Sequence, residues 1–422
     1  MVFLEKIKTL FTDPVLRKRV LFVGLVLILF RLGANIPIPG IDTFALNQYL
    51  SDNSFLGLLN LFSGGGLSNL SIFMLGVGPY ITATIILQLL TMVFPKLKEL
   101  YHEEGEVGRK KFSQYGRLLT VPLALVQGFG LLVLLRNQGI FLDPSPFAMV
   151  VSMIVVMGGS MLLTWLGELI NEFGIGNGVS LIIFAGIVAG LPTSLSQMFI
   201  TFDVSQIPYY IGFVVLALVV ILGVVVVTEA ERPIPVTYAK RVRGMKMYGG
   251  VSTYLPLRLN QAGVMPIIFA LALLLFPQMI GNFLMGINNV VAQVVGGFLQ
   301  GMVSNLAVYG VLYFILVFLF TYFYTAVTFD PKAMSENLQK SGAFIPGVRP
   351  GEKTAEYVAS VLTRLTLVGA LFLGIIAVLP LILQAATGAA ALTIGGTGLL
   401  IVVSVVLDLM KQVNAQLSMR EY

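Results

Sequence analysis

NLFSGGGLSNLSIFMLGVGPYITATIILQLL, residues 60–90, reads as two halves with different demands. From Ile72 onward it is apolar enough to run through a bilayer. Before that, Gly64, Gly65 and Gly66 stand in a row among Asn60, Ser63, Ser68 and Asn69, a composition that no lipid-facing helix uses. Hydrocarbon offers backbone amides no partner, so irregular chain at that depth persists only inside protein or beside a water-filled cavity. The expectation is a channel or transporter with a pliable segment that leads into a membrane helix and touches its cavity.

Composition points the same way. Hydrophobic residues make up 57% of the 422 positions and charged residues 11%, against about a quarter charged in soluble domains. The chain therefore reads as an all-α polytopic membrane protein. It has no Cys, which excludes disulfides and thiolate chemistry, and a single His, His102, cannot build a His-rich metal site. Neither a phosphate-cradling GxxxxGK[ST] loop nor a GxSxG elbow nor an HExxH helix occurs, so no cofactor, metal or catalytic residue is expected. The opening stretch MVFLEKIKTLFTDPVLRKRV is amphipathic without a small-residue cleavage site and reads as a retained surface helix.

A crossing helix needs about 20 apolar residues. Ten stretches supply them or come close: 20–36, 71–93, 118–135, 147–167, 179–191, 208–228, 262–280, 304–327, 361–384 and 392–410. The fifth is short, lies between GIGNG (174–178) and Pro192, and could continue through 193–200 after a kink at the proline. With both termini on the cytoplasmic side, Arg31 and Arg136 are the basic residues left outside, and the remaining Lys and Arg fall inside as the positive-inside rule requires.

Two cytoplasmic loops exceed what a topology signal needs. Residues 229–259, EAERPIPVTYAKRVRGMKMYGGVSTYLPLRL, alternate β-branched, aromatic and basic side chains around Gly249 and Gly250, which predicts a projecting hairpin. Residues 329–357 carry Pro346, Gly347, Pro350 and Gly351, which predict a tight turn with Arg349 at its tip. Basic loops often do no more than set topology. At this length they also read as a docking surface for an acidic or RNA-bearing partner.

Residues 60–90, GIGNGVSLIIFAGIVAGLP (174–192), ERPIPVTYAKR (231–241), NQAGVMPIIFA (260–270), FIPGVRPGEKT (344–354) and GGTGLLIVVSVVLDLMKQV (395–413) together resemble the SecY family, and the likeness extends over essentially the whole chain. That resemblance implies ten helices in two inverted halves, 1–200 and 201–422, with a re-entrant plug. It implies a channel in the bacterial plasma membrane that passes unfolded preproteins across and releases membrane segments sideways. The plug would comprise Asn60, Leu61, Phe62, Ser63, Gly64, Gly65, Gly66, Leu67, Ser68, Asn69 and Leu70, although Gly and Ser also make ordinary outer loops. A ring of Val77, Ile81, Val179, Ile183, Ile268 and Ile401 would constrict the pore. An apolar constriction dewets and obstructs ions, yet yields to a flexible chain.

The same resemblance implies a lateral gate with polar residues Thr82, Gln88 and Asn260; Thr82 equally suits plain interhelical hydrogen bonding. Partner binding would fall to Arg241 and Arg349, facing the SecA motor ATPase or a ribosome. SecE and SecG would be companion subunits, signal sequences of preproteins the cargo, and membrane lipid the solvent. The competing expectation is an ion-coupled secondary transporter, which would carry ionisable groups at membrane depth. The acidic candidates Glu168, Glu229 and Asp408 all fall near cytoplasmic ends of the spans, which argues against it.

Overall fold

The computed structural model describes residues 13–38, 60, 63, 65–102, 104–137, 139–140, 145–200, 207–238, 241–243, 246–248, 252–285, 289–387 and 390–418. Most of the amino-terminal surface helix expected above, and Gly249 and Gly250, lie outside the described residues. Two compact units emerge, one of Met1–Val215, Ala272–Val308 and Pro380–Tyr422, the other of Leu216–Leu271 and Tyr309–Leu379.

In the first unit, α1 (Pro14–Gly33) starts where Asp13 caps it, its carboxylate accepting from the Val15 and Leu16 amides at 2.8 and 3.4 Å, with Pro14 in the first turn. Residues 65–77 follow as consecutive turns and a bridge, and α2 (Gly78–Val93) begins only after them. It gives way to α3 (Pro95–His102) at a bend of 117°. Phe94, extended at ψ 107°, makes that corner, because the residue before a proline is pushed out of the helical region. Then come α4 (Gly105–Asn137), α5 (Pro146–Phe173) and α6 (Gly178–Ile200), the last continuing through Pro192. The α4 helix starts well before residue 118 because its basic first turns, with Arg109, Lys110 and Lys111, prolong it beyond the apolar window.

The second unit holds a small sheet on a helical base. α7 (Ile207–Glu229) enters it from the first unit and leads into β1 (Glu231–Tyr238), with β2 (Arg241–Arg243), β3 (Lys246–Tyr248) and β4 (Ser252–Arg258) next. β1 pairs antiparallel with β4, from Glu231 opposite Arg258 to Thr237 opposite Ser252. Ile234 and Val236 point into a core with Leu257, while Pro233 and Pro235 alternate outward. Among the described residues β5 meets the other edge of β1 only at Thr237 and Tyr238, beyond both prolines.

α8 (Met265–Met285), α9 (Val290–Ser304) and α10 (Leu306–Thr328) follow, then α11 (Pro331–Lys340), capped by Asp330, and β5 (Ala343–Phe344). β5 pairs with β1 at Thr237 and Tyr238. The hairpin expected in 229–259 is formed by β1 and β4, and through β5 the loop of 329–357 joins the same sheet. α12 (Glu352–Thr387) and α13 (Ala390–Ser418) complete the chain.

Among the described residues four helical stretches are long and apolar enough to cross a membrane: Gly105–Arg136, Pro146–Phe173, Leu306–Lys340 and Glu352–Ile382. The bent pair α2 and α3 makes a fifth if counted as one span.

Candidate functional site: a buried turn segment and an exposed basic platform

The glycine-rich stretch is tightly bonded. Ser63 Oγ donates to the Asn60 carbonyl at 3.0 Å and accepts from the Leu67 amide at 2.9 Å, and Asn60 Oδ1 accepts from the Ser68 amide at 2.8 Å. The segment is also tied to the chain leaving α1: the Ile38 amide donates to the Leu70 carbonyl, the Ile72 amide to the Ile36 carbonyl, and Asn69 Nδ2 to Asn35 Oδ1 at 3.2 Å. Leu67, Leu70, Met74 and Leu75 are buried in one apolar cluster with Leu131 and Leu132 of α4 and Val156 of α5. Of the eleven positions expected to form a plug, Leu61, Phe62 and Gly64 lie outside the described residues.

The glycines answer to two constraints. Gly65 takes φ 81°, a left-handed turn. Gly66 is squeezed instead: a Cβ there would come within 2.7 Å of the Phe73 carbonyl. Close approach, rather than hinge freedom, explains that glycine. Gly159 of α5 has the same reason, since a Cβ on it would run into the Ile72 carbonyl.

Immediately after the turns come two ring candidates. Val77 precedes α2 and Ile81 lies one turn on, its amide donating to the Val77 carbonyl at 3.0 Å; both are buried. Val179 and Ile183 stand one turn apart on α6, the first half-buried and the second buried. Val179 lies near Gly167 of α5, whose backbone closely faces Gly178. Ile401 is buried on α13, which packs against α6 within the same unit. Ile268, buried on α8, belongs to the second unit.

The polar candidates differ in their bonding. Thr82 Oγ1 donates to the Gly78 carbonyl at 3.0 Å and accepts from Gln127 Nε2 of α4 at 3.4 Å, so it links α2 to α4. Gln88 Oε1 and Asn260 Oδ1 are buried without a hydrogen-bond partner, although Asn260 Nδ2 donates to the Gly263 carbonyl at 3.1 Å. Unpaired buried amide oxygens cost about 1–3 kcal/mol each.

On the platform, Arg349 is exposed in a turn between Gly347 at φ 83° and Gly351 at φ 94°. Thr354 Oγ1 donates to its carbonyl at 2.9 Å, and Ser335 Oγ of α11 to the Gly351 carbonyl at 2.6 Å. Beneath the turn lie Ile345, Val358, Val361 and Leu362, packed with the sheet residues. The backbone of Arg241 is in β2, paired with Tyr248; its side chain lies outside the described residues.

One cluster escaped the sequence reading. Glu168 of α5 accepts from Ser113 Oγ at 2.9 Å and pairs with Arg117 at 3.2 Å, both on α4. The signal was available: a carboxylate at the end of an apolar stretch needs a cation, and Arg117 ends the basic run before the third stretch.

Long apolar helices, an irregular segment seated in their core and a folded basic platform together define a polytopic membrane channel. The SecY family profile matches residues 71–410. The protein translocase subunit SecY of Mycobacterium bovis is 44% identical over 429 residues, covering 96% of each chain. Among solved structures, a protein-conducting channel aligns with TM-score 0.63 and 21% identity over 94% of this chain and 92% of the other. A SecY structure in which the plug domain stabilises the closed state and maintains a membrane seal aligns at TM-score 0.65 and 22% identity, with the same coverage. At those identities the structures speak to the fold alone.

The chain belongs to the SecY family. Its function is that of a protein-conducting channel, and it is not an enzyme.

Proposed function

We propose that this chain spans the bacterial plasma membrane ten times in two inverted halves, 1–200 and 201–422, with both termini in the cytoplasm. Unfolded preproteins pass through the ring of Val77, Ile81, Val179, Ile183, Ile268 and Ile401, and residues 60–70 stop it at rest. One observation carries this reading: a turn segment bonded within itself and to the chain after α1 sits in an apolar core, directly before Val77 and Ile81. A stopper must be ordered when seated, and glycine turns leave it free of a continuous helix when displaced.

Gln88 and Asn260 belong to the lateral gate, where an unsatisfied amide biases a helix seam towards opening. Thr82, bonded to Gln127, is the weaker gate candidate. Arg241 and Arg349 meet SecA or a ribosome, SecE and SecG complete the complex, and signal sequences and lipid meet the gate. The pairing of Glu168 with Arg117 and Ser113 leaves that carboxylate a structural partner and gives the ion-coupled transporter reading no support.

The chain has no native cysteine, so a single engineered pair reports cleanly. Asn35→Cys with Asn69→Cys replaces two side chains now 3.2 Å apart. Oxidised, the variant is expected to block SecA-driven translocation in proteoliposomes, and reduction to restore it. Full-rate transport by the oxidised form refutes a moving stopper. At the platform, Arg349→Glu is expected to abolish motor-driven transport without lowering the unfolding temperature, because a bidentate guanidinium is lost from an exposed position while the buried side of the turn, at Ile345, is untouched. Normal transport by that variant removes Arg349 from the docking surface.

A further inference from the structure

Between Arg258 and Asp330 the chain carries no Asp, Glu, Lys or Arg. Midway along this uncharged run lies α9, a helix of 15 residues joining α8 to α10. At 1.5 Å per residue it is about 22 Å long, short of the roughly 30 Å hydrocarbon core. Asn289 caps its start, Oδ1 accepting from the Val291 amide at 2.9 Å, and Asn305, just past its end, accepts from the Ala307 amide at 3.1 Å to start α10. Both ends thus use neutral polar groups.

The helix touches α8 through glycine. A Cβ on Gly296 would lie 2.8 Å from the Gly281 carbonyl, and one on Gly281 3.3 Å from the Gln300 amide. Gly296 is the buried residue of α9. Val290, Val291, Val294 and Phe298 are 77, 71, 68 and 69% exposed and share one face at helical spacing. Water would leave that contiguous apolar face unsatisfied.

β1 pairs with both β4 and β5, so the loops at the other ends of α8 and α10 belong to one sheet. α8 therefore leads away from the sheet along the chain and α10 returns, and α9 is the turn-around farthest along the chain from the basic platform. We propose that α9 is an interfacial helix on the side of the membrane opposite that platform, with the 290/291/294/298 face among acyl chains just below the headgroups. Its occupant is lipid. Interfacial helices commonly add Lys or Arg to hold anionic headgroups; this one has none, so its seating is independent of lipid charge. The inference rests on the chain spanning a membrane and not on any assignment of ring, plug or gate.

Depth-resolved quenching tests it. The sole tryptophan, Trp165 on α5, is changed to Phe, and Phe298→Trp or, as a second reporter on the same face, Val294→Trp is introduced into the full chain. Each is reconstituted in phosphatidylcholine vesicles brominated either near the headgroup or near the chain end. The expected result is quenching at least about twofold stronger from the shallow bromines, unchanged when half the lipid is phosphatidylglycerol. Tyr254→Trp, on the exposed strand β4, supplies the aqueous baseline.

Stronger quenching from the deep bromines, or dependence on lipid charge, overturns the proposal. So does absence of bromine quenching at both reporters: iodide access then assigns the face to water, and iodide protection to a protein partner. The parent Trp165, 53% exposed on a span, separates the two levels. If it too escapes every bromine, the membrane reading of α5 has failed rather than that of α9.

Discussion

Leu70 is held at φ 39°, in the left-handed region, with its side chain fully buried and its carbonyl accepting from Ile38. That backbone costs about 1–2 kcal/mol for a residue with a Cβ, and burial of the leucine outweighs it. Leu70→Gly relieves the strain but empties the site, where a buried leucine is worth about 2–5 kcal/mol against truncation. The expected net is a loss of about 1–3 kcal/mol, seen as a lower unfolding temperature in detergent; an unchanged temperature would mean that the cluster collapses around the gap. Residues 60–70 announced themselves by composition. The reason for Gly66 did not, because a close approach to the Phe73 carbonyl, seven residues on, exists only once the turns have closed.

At the scale of elements, the hairpin of β1 and β4 was readable from alternation, since Ile234 and Val236 face one way and the prolines the other. α11 and β5 were not. A polar helix of 10 residues and a strand of two are unstable alone, and they form because Ala343, Ile345 and Val358 close over the sheet. The turn presenting Arg349 depends on that closure through Ser335. Ser335→Ala removes the 2.6 Å bond to Gly351, worth about 1 kcal/mol. Limited proteolysis should then cut within residues 345–351 faster than in the parent, with the spans unaffected; equal rates would show that the two glycines hold the turn without help.

For the whole molecule, the apolar character of the chain was legible because lipid imposes it residue by residue, and among the described residues four of the ten expected stretches, or five with the bent pair, are helices long and apolar enough to cross a membrane. The proposed ring is a different matter: an apolar side chain in a membrane helix is the default, so Ile183 or Ile401 looks like any neighbour until a family resemblance proposes it. Deleting 60–70 should leave translocation largely intact but make the resting channel leak ions in planar bilayers. It should also lower the unfolding temperature, because Leu67 and Leu70 leave the cluster shared with α4 and α5. An ion-tight deletion variant counts against a sealing role.

The pairing of β1 with β5 also dictates an order of synthesis. Thr237 and Tyr238 meet partners that leave the ribosome about a hundred residues later, a delay of roughly 5–20 s at ordinary elongation rates. Until then the strand has a bare edge and the platform lacks its second side, while α8 and α10 are still being made and inserted. The basic face proposed for docking is thus completed only after both of those helices have been synthesised, so a half-made chain cannot yet present the finished surface.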